Sequence, residues 1–212
     1  VLVVGLGNRG VTPDSLGPRV AERVFVTRHI KEHMPEAFDF DIPSVCAIAP
    51  GVLGVTGVET MDIVFGVANK VKPDLIIAVD ALASRRAARI STTIQLSDSG
   101  ISPGSGVGNT RADLSRANLG VPVIAVGVPL VVYASTISQD TISLIADETG
   151  LHGDEARLRE LAEQVIAKHM GDFIVTPKDI DVIVEDMAGI IANAINSALF
   201  GNNLEQVRNM LA

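Results

Sequence analysis

Residues 75–80 read Leu75-Ile76-Ile77-Ala78-Val79-Asp80, an apolar run that ends on a carboxylate. The run is too short for a helix and does not alternate, so it describes a strand covered on both faces, as in a parallel sheet between helices. Residues 1–6, 44–49 and 121–128 repeat the pattern, each rich in Val or Ile and bounded by Gly, Pro or Asp. Helical periodicity fills the intervals. Residues 16–33 carry Val20, Val24 and Thr27 or Arg28 at helical spacing, and residues 59–72 place Ile63, Val64 and Val67 on one side before Pro73. The expected fold is α/β, a mostly parallel sheet between helices.

Around this frame, residues 89–96 alternate Ile90, Thr92, Ile94 and Leu96 with polar positions, the period of a half-exposed edge strand. The uncharged stretch 119–139 is divided by Pro122, Gly127 and Pro129, so it reads as a buried strand leading into a helix rather than as a membrane span. Beyond Gly153 the chain turns helical. Leu158, Leu161, Val165 and Ile166 share one face of residues 154–168, and Asp179 caps a longer helix with Ile183, Val184, Met187, Ile190, Ile191 and Ile195 at i, i+3, i+4 spacing. We read residues 1–212 as one α/β domain with a helical C-terminal portion from about residue 153. Val1 already sits inside a strand, so the full protein is expected to carry residues before it.

Composition narrows the function. With 212 residues, 47% of them apolar, the chain can bury a full core, which excludes a disordered or fibrous protein. A net charge of −8 offers no basic footprint for nucleic acid, and six Phe, one Tyr and no Trp offer few stacking surfaces. Neither nucleic acid nor a membrane is an expected partner. The single Cys46, between Val45 and Ala47, reads as a small buried hydrophobe in a reducing, cytoplasmic setting.

Two glycine motifs mislead. Gly5-Leu6-Gly7-Asn8-Arg9-Gly10 matches a dinucleotide fingerprint, but no helix starts within the glycines to face a pyrophosphate. Gly100-Ile101-Ser102-Pro103-Gly104 matches a nucleophile elbow, yet Pro103 lacks the N–H that the oxyanion hole needs. His29, His33, His152 and His169 read as solvated surface residues, and no C-x-x-C pair suggests zinc. No cofactor or metal is expected.

Carboxylates remain. Asp80 stands at the carboxyl end of a central strand, where open α/β sheets place ligands, and Asp14 follows the first strand onto the same edge. The bland alternatives are a helix cap for Asp14 and a turn residue for Asp80. Together, in glycine-rich loops, the two favour chemistry. Asp98, Ser99 and Gly100 begin a glycine-rich loop, residues 99–109, whose Gly104 and Gly106 suit close approach to an extended peptide.

Four ordered blocks then carry a family resemblance. Gly7-Asn8-Arg9-Gly10-Val11-Thr12-Pro13-Asp14-Ser15-Leu16-Gly17-Pro18 resembles the G-N-x-x-V-T-P-D-x-L-G-P block of the germination proteases. Residues 49–60, 79–85 (Val79-Asp80-Ala81-Leu82-Ala83-Ser84-Arg85) and 98–109 follow in the family's order. The resemblance implies an atypical aspartic endopeptidase of the spore core that degrades small acid-soluble spore proteins during germination. It also implies a zymogen that autoprocesses, a homotetramer, and a fold related to the phosphorylase/hydrolase-like architecture of hydrogenase maturation peptidases. The family's two catalytic aspartates fall on Asp14 and Asp80. Leu130 and Tyr133 depart from residues common in the family, Thr and Asp.

Two carboxylates in a partly desolvated site would share one proton and titrate as a unit. A runner-up is a metal-binding maturation peptidase with Asp14 and Asp80 as oxygen ligands. A third reading is a peptidyl-tRNA hydrolase, which Gly5-Leu6-Gly7-Asn8 and Thr27-Arg28-His29 echo. Acidic charge and spacing count against it.

Overall fold

The computed structural model describes residues 1–34, 36, 41–104, 112–150, 155–169 and 173–211. Six strands form one sheet: β1 (Leu2–Gly5), β2 (Cys46–Ile48), β3 (Ile76–Ser84), β4 (Gln95–Ser97), β5 (Val123–Tyr133) and β6 (Ile174–Val175). Their order is β2-β1-β3-β5-β4, with β6 also on β5. β2, β1, β3 and β5 run parallel, whereas β4 and β6 lie antiparallel to β5. The four apolar runs of the sequence are thus the four parallel strands. Among them β3 and β5 are longer than their apolar runs and stay paired as far as Ser84 and Val132.

Helices cover both faces. On one side α1 (Leu16–Arg23) and α8 (Ile180–Phe200) close over Val3, Ile77, Val79, Val126 and Val128. On the other, α4 (Thr60–Val71) and α5 (Arg116–Leu119) cover Leu2, Val4, Ile76 and Ala78 with Val64, Ala68 and Leu119. The remaining helices are α2 (Arg28–His33), α3 (Leu53–Thr56), α6 (Ala134–Thr149), α7 (Glu155–His169) and α9 (Leu204–Leu211). Residues 180–211 are long and apolar enough to cross a bilayer by composition alone. Val184, Ala188, Ile191, Ala192 and Ile195 are nevertheless buried in the core, the behaviour of an internal helix.

Several expectations need correction. The single helix over 16–33 breaks into two, because Val24 turns extended and residues 23–28 bond elsewhere. Buried Asn196 accepts from the Phe25 N–H at 2.9 Å and donates to the Arg23 carbonyl at 3.1 Å. Thr27 and Arg28 donate their N–H groups to the Val45 carbonyl. These partners satisfy the backbone groups that the break exposes. The strand expected over 89–96 shrinks to Gln95–Ser97, preceded by a 3-10 turn at Ala87–Arg89. Asp179 holds the N-cap position of α8 but makes no side-chain cap bond. Cys46 is only half-buried, with Sγ 3.6 Å from the Val1 carbonyl. His29, His33 and His169 are exposed as expected, while His152 lies outside the described residues.

Candidate active site

The site is assembled at the carboxyl end of β1. There Leu6 still donates to the Val79 carbonyl at 2.8 Å, and the chain then turns away through Gly7, which sits at φ +111°. Only glycine fits: a Cβ on Gly7 would meet the Asp14 carbonyl oxygen at 2.0 Å. Residues 12–14 form a 3-10 turn with Pro13 near its start, and Ser15, not Asp14, is the N-cap of α1. The helix-cap alternative for Asp14 therefore fails. Its Oδ2 instead accepts the Asn8 N–H at 2.7 Å, closing the loop on itself.

Helix α1 must come very near the sheet to hold this loop. Gly5 and Gly17 make the approach possible, since a Cβ on Gly5 would lie 2.1 Å from the Gly17 carbonyl and one on Gly17 would lie 2.2 Å from the Leu6 carbonyl. Arg19 and Arg23 of α1 both reach Glu185 of α8, Arg19 at 2.6 Å, which ties the helix to its neighbour.

Asp80 stands inside β3 rather than at its end, opposite Gly127 of β5. It is 6% exposed. The Ala81 N–H donates to its Oδ1 at 2.9 Å. Burial, and after it the charge of Asp14, push its carboxyl up to about 8 against the opposing Ala81 N–H. Asp14 is also raised from the ordinary carboxylate value by burial, offset by the Asn8 N–H. The two side chains thus feel one another electrostatically.

The glycine-rich loop is placed differently. β4 pairs antiparallel, Gln95 with Gly127 and Ser97 with Ala125, so Asp98 and Ser99 leave toward the amino end of β5 and away from Asp80. Both are exposed, and the Ser97 and Ser99 hydroxyls bond each other at 2.6 Å. Gly100 sits at φ +94° beside the Leu114 carbonyl, and Ile101 bridges to Leu114. Gly104 is half-buried at φ +70°. Gly106 lies outside the described residues, as do 105–111. Ser102 is followed by turn residues Pro103 and Gly104 rather than by the helix start that an elbow serine needs at once, among the described residues. Among the described residues no group of three His, Cys, Asp or Glu side chains is arranged for a metal.

Sequence reasoning missed Gly5, Gly17, Asn8 and Gly127 as positioning residues. The short-residue pair Gly5 and Gly17, one at a strand end and one in the first turn of the next helix, was the available signal.

A mostly parallel sheet between helices, with Asp14 and Asp80 toward the carboxyl side of its strands, defines the class, an α/β protein. The chain belongs to the germination protease family, whose model matches residues 1–156 and 149–210. It is 49% identical over 212 residues to a germination protease of Clostridium acetobutylicum, covering 94% of this chain and 65% of the relative. It is equally 49% identical over 224 residues to that of Caldanaerobacter subterraneus, covering 100% of this chain and 69% of the relative. The chain therefore spans about two-thirds of the length of these relatives. Among solved structures, an uncharacterized protein from Wolinella succinogenes aligns over 100% of this chain and 98% of its own at 13% identity, with a TM-score of only 0.37.

Proposed function

We propose that this protein is an endopeptidase of the spore core that begins the breakdown of small acid-soluble spore proteins, using Asp14 and Asp80 as an acid–base pair. The observation that carries this reading is the electrostatic coupling of Asp14 to a buried Asp80 on the edge where α/β sheets bind ligands. Family membership supplies the reaction class.

The two environments suggest the division of labour. Asp80, held protonated at neutral pH, donates a hydrogen bond and then its proton to the scissile carbonyl oxygen. Asp14, stabilised by the Asn8 N–H, removes a proton from the attacking water. The tetrahedral intermediate collapses when Asp14 returns that proton to the leaving amine and Asp80 recovers its own. Assembly as a homotetramer and synthesis as a zymogen belong to the same reading.

The test is hydrolysis of a purified small acid-soluble spore protein, followed by mass spectrometry. Wild type should cut it at discrete sites, and Asp14→Asn and Asp80→Asn should each lose at least about 10²-fold in kcat. Near-wild-type turnover by either variant would remove the pair from the mechanism. Exhaustive chelation should leave the rate unchanged, and recovery of a chelated enzyme by a transition metal alone would favour the metal-binding alternative.

A further inference from the structure

Strand β3 outlasts its neighbour. β1 pairs with it only from Leu2 opposite Ile76 to Gly5 opposite Val79, and the Leu6 N–H to the Val79 carbonyl is the last bond on that side. β3 then continues through residues 80–84, held by β5 alone. Among the described residues no strand fills the other side.

Alternation decides which groups face the vacated lane. The Leu75 and Val79 carbonyls bond toward β1, whereas the Ile76 N–H bonds the Pro122 carbonyl toward β5. Odd residues therefore present their backbone to the lane, and Ala81 and Ala83 are the next two, the extra residue of the register shift after Leu82 being Leu130 of β5. The Ala81 N–H is taken by Asp80, and among the described residues no loop or side-chain partner bonds the Ala81 carbonyl or either group of Ala83. Ala81, Leu82 and Ala83 are also half-buried, unlike the fully buried residues 76–80 before them.

Charge marks the far end. Arg85, Arg86 and Arg89 follow β3 directly and are exposed. Their backbone is pinned: the Ser84 hydroxyl donates to the Arg86 carbonyl at 2.5 Å, and the Ala87 N–H donates to Asp140 Oδ2 at 2.8 Å. Arg9, Arg19, Arg23, Arg28 and Arg208 each pair with a glutamate, whereas these three guanidiniums, like Arg116 and Arg157, make no ion pair among the described residues. Three such guanidiniums within five residues, at the end of one strand of a chain of net charge −8, suit an acidic partner.

We propose that substrate binds as an extended peptide added to the free edge of β3, in the lane that β1 vacates, with an acidic side chain received by Arg85, Arg86 and Arg89. The inference rests on the peptidase reading, for it sets the scissile bond at the Asp14 and Asp80 end. An added strand would lie about 4.8 Å from β3, with main-chain bonds supplying affinity. Five residues separate Asp80 from Arg85 along the strand, about 16 Å at roughly 3.3 Å per residue. The acidic side chain accordingly falls four or five residues from the bond that is cut.

The experiment uses ten-residue fluorescent peptides tiling a purified small acid-soluble spore protein, bound to the Asp80→Asn protein and followed by anisotropy. The best binder is then N-methylated at each position in turn. Affinity should fall about tenfold at every second residue, the loss expected for a main-chain hydrogen bond. Ala83→Pro, which removes the free N–H at an edge where proline is tolerated, should raise KM about tenfold while the melting curve stays in place. Arg85→Gln with Arg89→Gln should weaken the glutamate-bearing peptide and spare its glutamine counterpart. Failure of every peptide to bind, N-methyl losses without a two-residue period, or a Ala83→Pro effect on kcat alone would each overturn the proposal. Period-two binding without cleavage by wild type would keep the edge and discard the peptidase reading. Cleavage without the period would do the reverse.

Discussion

Around β1 and β3 the apolar side chains are shut in. Along the α6–α7 hairpin they are not. Leu2, Val3, Val4, Ile76, Ala78 and Val79 are all buried, and the helix above them approaches through Gly5 and Gly17 until backbone nearly meets backbone. On the hairpin, Leu144 is 64% exposed and Ile145, Leu158, Leu161 and Val165 are exposed as well, with Ala146 and Ile166 buried. A pair of carboxyls with raised pKa values is held where packing leaves the loops no room to relax. Among the described residues the hairpin keeps an apolar face uncovered, which suits the homotetramer proposed above.

Four measurements distinguish the tightly packed sheet from the open hairpin. The largest effect is expected at the glycine contact. Gly17→Ala would drive a methyl into the Leu6 backbone, so it should destabilise by about 3 kcal/mol or more and abolish activity; a folded, active variant in chemical denaturation would show that α1 does not press on the sheet as described.

Next comes the pH dependence of the carboxyl edge. Because the folded pKa of Asp80, about 8, exceeds its ordinary 3.8, the native state holds a proton that the unfolded chain has released. Its contribution to stability is complete below about pH 4 and is lost as pH rises through about 8. Melting temperature should decline over that window, and Asp80→Asn should flatten the decline. Hydrolysis should fall on the alkaline side near pH 8 as the acid is lost, and on the acid side at a pH above the ordinary carboxylate range as Asp14 protonates. A rate that still climbs past pH 9 would reverse the assigned roles.

A smaller loss, about 1–3 kcal/mol by denaturant titration, is expected for Asn196→Ala, which strands the Phe25 N–H and the Arg23 carbonyl between α1 and α2. The smallest is expected on the hairpin. Leu161→Glu and Val165→Glu should change the stability of the isolated chain by no more than about 0.5 kcal/mol, yet light scattering should show a smaller assembly. An unchanged mass would mean that this face meets solvent in the working protein.

Much of this was readable from residues alone. The four apolar runs announced four parallel strands because a strand buried on both faces has no polar side to alternate with. Asp80 stood out since a carboxylate at the end of such a run has to be either a turn or a site, and the motif blocks located Asp14 beside it. The break between α1 and α2 was not readable. Its cause is Asn196, far along the chain, whose amide competes for the backbone that a continuing helix would have used. Nor could alternation alone reveal that Arg89–Ile94 would leave the sheet, because the edge of β5 is shared by β4 and β6.

Local pattern, then, determined which segments become strands and helices and which carboxylates merit attention, since periodicity and end-signals act over a few residues. Only the tertiary structure decided that β3 runs on past β1 and that residues 98–99 leave from the other end of the sheet. It alone decided how deeply each aspartate is buried. Those properties depend on strand register and on how deeply neighbouring elements bury a charge, and both are set by contacts between residues far apart in the chain.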